Sequence, residues 1–107
     1  MTIKTPLTEN TYLTRGNKED FTLVYPSYQK DFPTHERKDW ACLLTLLETG
    51  VYKLLILRSS FNQTILGYAF IYELTSLQVL WLDYLAINPE FRGQGIGSCF
   101  LSMLLTT

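Results

Sequence analysis

Cysteine and histidine are scarce in this chain: two cysteines, Cys42 and Cys99, and one histidine, His35, in 107 residues. Neither cysteine has a second Cys or a His at ligand spacing, which excludes the common zinc patterns and a disulfide scaffold. Both sit in apparent helical segments among apolar neighbours and are expected to be small buried hydrophobes; no metal is expected. An excess of either charge is also lacking, with 9 basic against 10 acidic residues and a net charge of −1. There is no basic field to hold a polyanion, so nucleic acid is not an expected partner, although one phosphate group needs no net positive charge. Long hydrophobic runs are missing too. The most apolar stretch, Ile65 to Tyr72, is far shorter than the roughly 20 residues of a bilayer span. The first residues are polar, with no apolar core of a signal peptide. No membrane partner and a cytoplasmic location are expected. Repeats and low-complexity segments are absent, and the length leaves room for one domain over residues 1–107.

What is present is apolar material: 47% of the residues are hydrophobic and 14% aromatic, enough for a packed core. Residues 1–9 are polar, Thr-rich and expected to be loosely held. Asn10 to Arg15 reads as a short strand. Asn17 can cap a helix beginning at Lys18, with Glu19 and Asp20 in the first turn, where the helix dipole favours carboxylates. Pro26 is expected to kink or end that helix. Thr34 reads as the next N-cap, with Glu36 in the first turn. Trp40, Leu43, Leu44 and Leu47 then mark one helix face, and Gly50 stands where a left-handed cap belongs. From there the pattern becomes β-branched and aromatic. Val51 to Leu57 and Ile65 to Leu74 read as strands joined by a hairpin loop at Ser59 to Gln63, and Gln78 to Ile87 as a third strand. Alternation along that strand puts Trp81, Asp83, Leu85 and Ile87 on one face, and Leu80, Leu82, Tyr84 and Ala86 on the other. Pro89 ends it. Ile96, Cys99, Phe100, Met103 and Leu104 return to helical spacing. The order is that of an α/β (α+β) domain: short strand, two helices, an antiparallel three-stranded meander, then a loop and a helix. The last helix reaches the end of the sequence without a stop signal, so the chain reads as an incomplete copy of a longer domain.

The chemistry concentrates between Leu82 and Ser98. A strand leads into a loop with glycines at alternate positions, Gly93, Gly95 and Gly97, and then into an apolar helix. Glycine lets a ligand approach the main chain closely, and the first N–H groups of a helix have no internal partner. Together they make an anion site suited to a pyrophosphate, with Arg92 adding positive charge at its rim. A P-loop is excluded because no lysine follows the glycines. A dinucleotide fingerprint counted from Gly93 would need Gly or Ala at Ser98 and a βαβ unit that the remaining chain is too short to supply.

Arg92-Gly93-Gln94-Gly95-Ile96-Gly97 resembles the R/Q-x-x-G-x-G/A signature of the GCN5-related N-acetyltransferases, and Leu85-Ala86-Ile87-Asn88-Pro89-Glu90-Phe91 is similar to that family's L-A-V-x-P-x-Y strand end. Phe32-Pro33-Thr34-His35-Glu36-Arg37 is a weaker likeness, to an F-P-x-x-E-R segment of bacterial members. The resemblance implies that the amides around Gly93, Gly95, Ile96, Gly97 and Ser98 bind the pyrophosphate of acetyl-CoA, aided by Arg92. It implies that the backbone of Leu85, Ala86 and Ile87 pairs with the pantetheine arm. It also implies direct acetyl transfer to an amine on a small molecule or a protein, with Asp83 as the residue matching the carboxylate base by position. Each role has a plainer counterpart, and Asp83 could be a strand residue paired with a cation. Glu36, Arg37, Glu73 and His35 read mainly as surface groups, Tyr68, Tyr72 and Tyr84 as sheet packing, and Trp81 as a core or interface residue. The family's later strands, which complete the acetyl slot and often supply a tyrosine acid, do not follow Thr107. The alternative is therefore a non-catalytic acyl-CoA-binding fragment. The outer edge of the third strand is expected to be unpaired and to favour a homodimer.

Overall fold

The computed structural model describes residues 10–105. The loosely held segment expected at 1–9, and the uncapped end expected beyond Leu105, lie outside the described residues. Four strands form one antiparallel sheet in chain order: β1 (Thr11–Arg15), β2 (Tyr52–Ser59), β3 (Ile65–Leu74) and β4 (Val79–Ile87). Helices α1 (Lys18–Asp31) and α2 (Trp40–Glu48) intervene between β1 and β2, and α3 (Ile96–Leu105) follows β4. The order matches the sequence reading, with boundaries shifted by a residue or two except at α2, which starts at Trp40, well after the cap expected at Thr34. Gln78 closes a short turn with φ 53° rather than opening β4.

Each face of the sheet has its own core. On one, Phe21, Val24 and Tyr28 of α1 and Leu43 of α2 pack on Tyr52, Leu54, Ile56, Tyr68, Phe70, Tyr84 and Ala86. On the other, Ile96, Phe100 and Leu104 of α3 pack on Leu57, Leu66, Ala69, Ile71 and Ile87. The first core is aromatic: Phe21 stacks on Trp40 at 4.3 Å, and Tyr28 meets Tyr84 edge-on at 4.9 Å. Such geometries follow from the ring quadrupole.

Three expectations need correction. The helix from Lys18 does not end at Pro26 but runs on to Asp31. Thr22 and Pro26 lie one turn apart on the exposed face, so the carbonyl that loses its partner faces water. Phe21, Val24 and Tyr28 hold the helix to the sheet on both sides of the proline. Thr34 does not cap α2. Its hydroxyl accepts from the Arg37 guanidinium at 2.8 Å, residues 34–36 make a single 3₁₀ turn, and Asp39 caps α2 by accepting from the Cys42 amide at 2.8 Å. Cys42 is exposed rather than buried. It lies two residues from Trp40 and thus about 200° around the helix, away from the face of Trp40, Leu43, Leu44 and Leu47. Cys99 is half-buried.

Candidate functional site

The loop from β4 to α3 is built by local rules. Pro89 starts a 3₁₀ turn ending at Phe91. Gly93 and Gly95 then adopt φ values of 81° and 75°, a region open to glycine and costly for other residues. The Gly95 carbonyl accepts the first bond of α3, from Cys99 at 3.1 Å. The amides of Ile96, Gly97 and Ser98 therefore stand at the open end of a helix, without intrahelical acceptors. Gly93, Gly95 and Ser98 are exposed, and a Cβ placed on Gly93 or Gly95 meets no atom within 4 Å. Gly97 is half-buried, and a Cβ there would make an ordinary contact with Ile87 at 3.7 Å. The residues present thus fit a diphosphate: open space, bare amides and the positive end of a helix.

The end of β4 supplies a second strip of backbone. Asn88 donates its amide to the Leu66 carbonyl at 2.8 Å, which orients alternate residues of β4 inward to β3. By that alternation Ala86 is committed to the sheet, whereas Leu85 and Ile87 turn their backbone groups to the outer edge. Of the three residues expected to pair with a pantetheine arm, two present free-facing groups. The Ile87 carbonyl is already taken by Arg92 Nε at 2.9 Å. Arg92 also pairs with Asp31 at 3.1 Å, so its guanidinium is folded against the strand end and the last residue of α1. Asp31 in turn accepts from the Tyr68 hydroxyl at 2.7 Å.

Asp83 lies where β4 carries one residue more than β3. Phe70 is opposite Tyr84 and Ile71 opposite Leu82, which leaves Asp83 as a bulge. The bulge overturns the simple alternation expected for this strand. Trp81, opposite Tyr72, shares the α1–α2 side with Asp83, Tyr84 and Ala86, whereas Leu82, Leu85 and Ile87 turn to the α3 side. Asp83 Oδ2 accepts from Lys38 Nζ at 2.7 Å and from the Tyr52 hydroxyl at 2.6 Å. Lys38 also stands 5.2 Å from the centre of the Tyr84 ring. Burial pushes Lys38 down, but the hydrogen bond and charge of Asp83 outweigh it and hold the ammonium above its ordinary pKa. Burial, then Asp83, pushes the Tyr52 phenol well up.

Lys38 and Tyr52, 45 and 31 residues from Asp83, carry no signal in the sequence, and neither does Asp31, 61 residues from Arg92. Glu73 pairs with Lys53, and His35 is exposed beside Glu36. Arg37 binds Thr34 and the Gln29 carbonyl, Trp81 is exposed, and Tyr68 and Tyr84 pack in the core. A groove of about 490 Å³ lined by Arg15, Leu55, Ile71, Glu73 and Leu80 contains neither Asp83 nor any residue of the Arg92–Ser98 loop. Among the described residues no group of three His, Cys, Asp or Glu side chains gathers at metal-binding distance, and no helix is long and apolar enough to cross a membrane.

The model of the acetyltransferase (GNAT) family matches residues 15–106. The chain belongs to this family. A GNAT family acetyltransferase from Staphylococcus aureus subsp. aureus USA300_TCH1516 has a similar fold, with a TM-score of 0.59 over 91% of this chain and 76% of that one, at 18% identity. An uncharacterised protein of Dictyostelium discoideum is 34% identical over 64 residues, which are 60% of this chain; the chain spans 14% of that protein's length. As a GNAT domain, the chain has the expected mixed architecture: a four-stranded antiparallel sheet with helices on both faces.

Proposed function

We propose that the chain is an acetyl-CoA-dependent N-acetyltransferase acting, in the cytoplasm, on an amine of a small molecule or a protein. The observation that carries this reading is the loop into the start of α3, exposed at Gly93, Gln94, Gly95 and Ser98, beside the outward backbone of Leu85 and Ile87. Acetyl-CoA brings the acetyl group as an activated thioester. The amides at the start of α3 hold the diphosphate, the β4 edge aligns the arm, and alignment of the reacting atoms supplies much of the rate. Arg92 acts at the rim once its guanidinium turns from Asp31, and otherwise braces the loop. Asp83 supplies the carboxylate that takes the amine's proton, and Oδ2 becomes available for that when Lys38 leaves it.

That occupancy of Asp83 favours one second reading: an acyl-CoA-binding protein without turnover. Thermal melting with CoA and a thiol-release assay over a panel of amines separate the two. CoA at about 100 times its dissociation constant should stabilise the fold by about 2.7 kcal/mol. Stabilisation with thiol release supports the enzyme, and stabilisation alone supports the second reading. The absence of both defeats the cradle. The outer edge of β4, unpaired among the described residues, is assigned in the same reading to contact with a second copy of the chain.

A further inference from the structure

Asp83, Tyr52 and Tyr84 together form a receptor for an ammonium group. A carboxylate oxygen and an aromatic face are the two features that bind a primary ammonium best in a partly dry site. The Tyr52 hydroxyl holds Oδ2 in place at 2.6 Å, and Oδ2 with the Tyr84 ring receives the ammonium of Lys38 at 2.7 and 5.2 Å. The site is semi-enclosed, with the side chains of Lys38 and Asp83 27% and 17% exposed. Its occupant is the mobile kind. Lys38 sits in the extended link between the 3₁₀ turn and α2, its backbone anchored by the amide's bond to the Tyr28 hydroxyl at 2.7 Å. The anchored backbone can stay while the four-carbon stem swings out to water.

We infer that Lys38 is a built-in stand-in for the acceptor, and that a primary alkylammonium of lysine-side-chain type takes its place at Asp83 by exchange. The pocket selects a primary ammonium at the end of a slender chain. A quaternary ammonium cannot donate to Oδ2. Lys38 thereby sets an entry threshold. It competes with every acceptor at a tethered effective concentration in the millimolar range, and it prevents Asp83 from standing unpaired between turnovers. The role as acceptor site rests on the acetyltransferase reading; the ammonium receptor itself does not.

The experiment is chemical rescue. Lys38→Met keeps the stem and removes the charge, and Lys38→Gln serves as a second variant. Thermal unfolding of wild type and both variants is followed at equal ionic strength with n-butylammonium or tetramethylammonium chloride. The variants should melt below wild type and recover saturably with butylammonium but not with tetramethylammonium, while wild type stays unmoved. Adding Asp83→Asn to either variant should abolish the response. In the thiol-release assay Lys38→Met should lower the KM of a lysine-like amine by about tenfold without lowering kcat. Variants indifferent to butylammonium, equal rescue by both cations, or failure of both variants to fold even with butylammonium would overturn the inference. Rescue by butylammonium in a protein that shows no CoA stabilisation would leave the receptor standing and remove the acetyltransferase reading.

Discussion

At the scale of single residues, two glycines do opposite work. Gly95 leaves space open, whereas Gly67 removes space, since a Cβ there would lie 2.7 Å from the Ala86 carbonyl oxygen. Gly95→Val should add strain at a positive φ and place a branched side chain over the amides, so the CoA-induced rise in melting temperature should vanish. An undiminished rise would remove the loop from the binding site. Gly67→Ala should push β4 off β3 and cost about 1–3 kcal/mol. Denaturant unfolding reads this directly, and a wild-type midpoint would mean that the strands part without cost. The conformation of the glycine loop was legible because it depends on neighbours in sequence. The surroundings of Asp83 were not, because Lys38 and Tyr52 reach it from other elements, and the direction of Arg92 depends on Asp31 at the far end of α1.

At the scale of elements, local patterning identified every helix and strand, and the errors arose where tertiary partners outbid a local preference. Thr34 looked like a cap until Arg37 engaged its hydroxyl, and α2 instead starts one residue after Asp39. Asp39→Ala should therefore cost about 1 kcal/mol while Thr34→Ala leaves the α2 cap intact, a contrast measurable by urea unfolding. The bulge in β4 was invisible to an alternation rule, since it depends on the count of residues in β3. It also divides the outer edge. After the bulge, Leu85 and Ile87 offer backbone near the loop; before it, Val79, Trp81 and Leu82 are exposed apolar side chains. Antiparallel pairing of two such edges is self-complementary about a two-fold axis. Light scattering should show a dimer that Trp81→Lys shifts to monomer, with CoA stabilisation retained. A monomer at all concentrations would leave this edge without a partner.

At the scale of the molecule, the aromatic core carries a pH signature. Burial raises Tyr28, Tyr52 and Tyr68, reinforced at Tyr52 and Tyr68 by hydrogen bonds to Asp83 and Asp31, and Asp83 raises Lys38 as well. All four hold their protons more tightly folded than unfolded. Below their ordinary values of about 10 both states are protonated and nothing is lost. Above that, the unfolded chain releases protons first, so stability falls as pH rises. Melting temperature should hold steady near neutrality and drop steeply beyond about pH 10, and Tyr52→Phe should soften the drop. An unchanged melting curve across that range would mean that these phenols ionise freely.

The strand order of the sheet, identical to the order in the chain, has a further consequence for how the protein is made. On a ribosome delivering about 5–20 residues per second, every new strand emerges to find its neighbour already there, and none has to insert between two that have already joined. The glycine loop and α3 come after these four strands, so they close onto a sheet delivered before them.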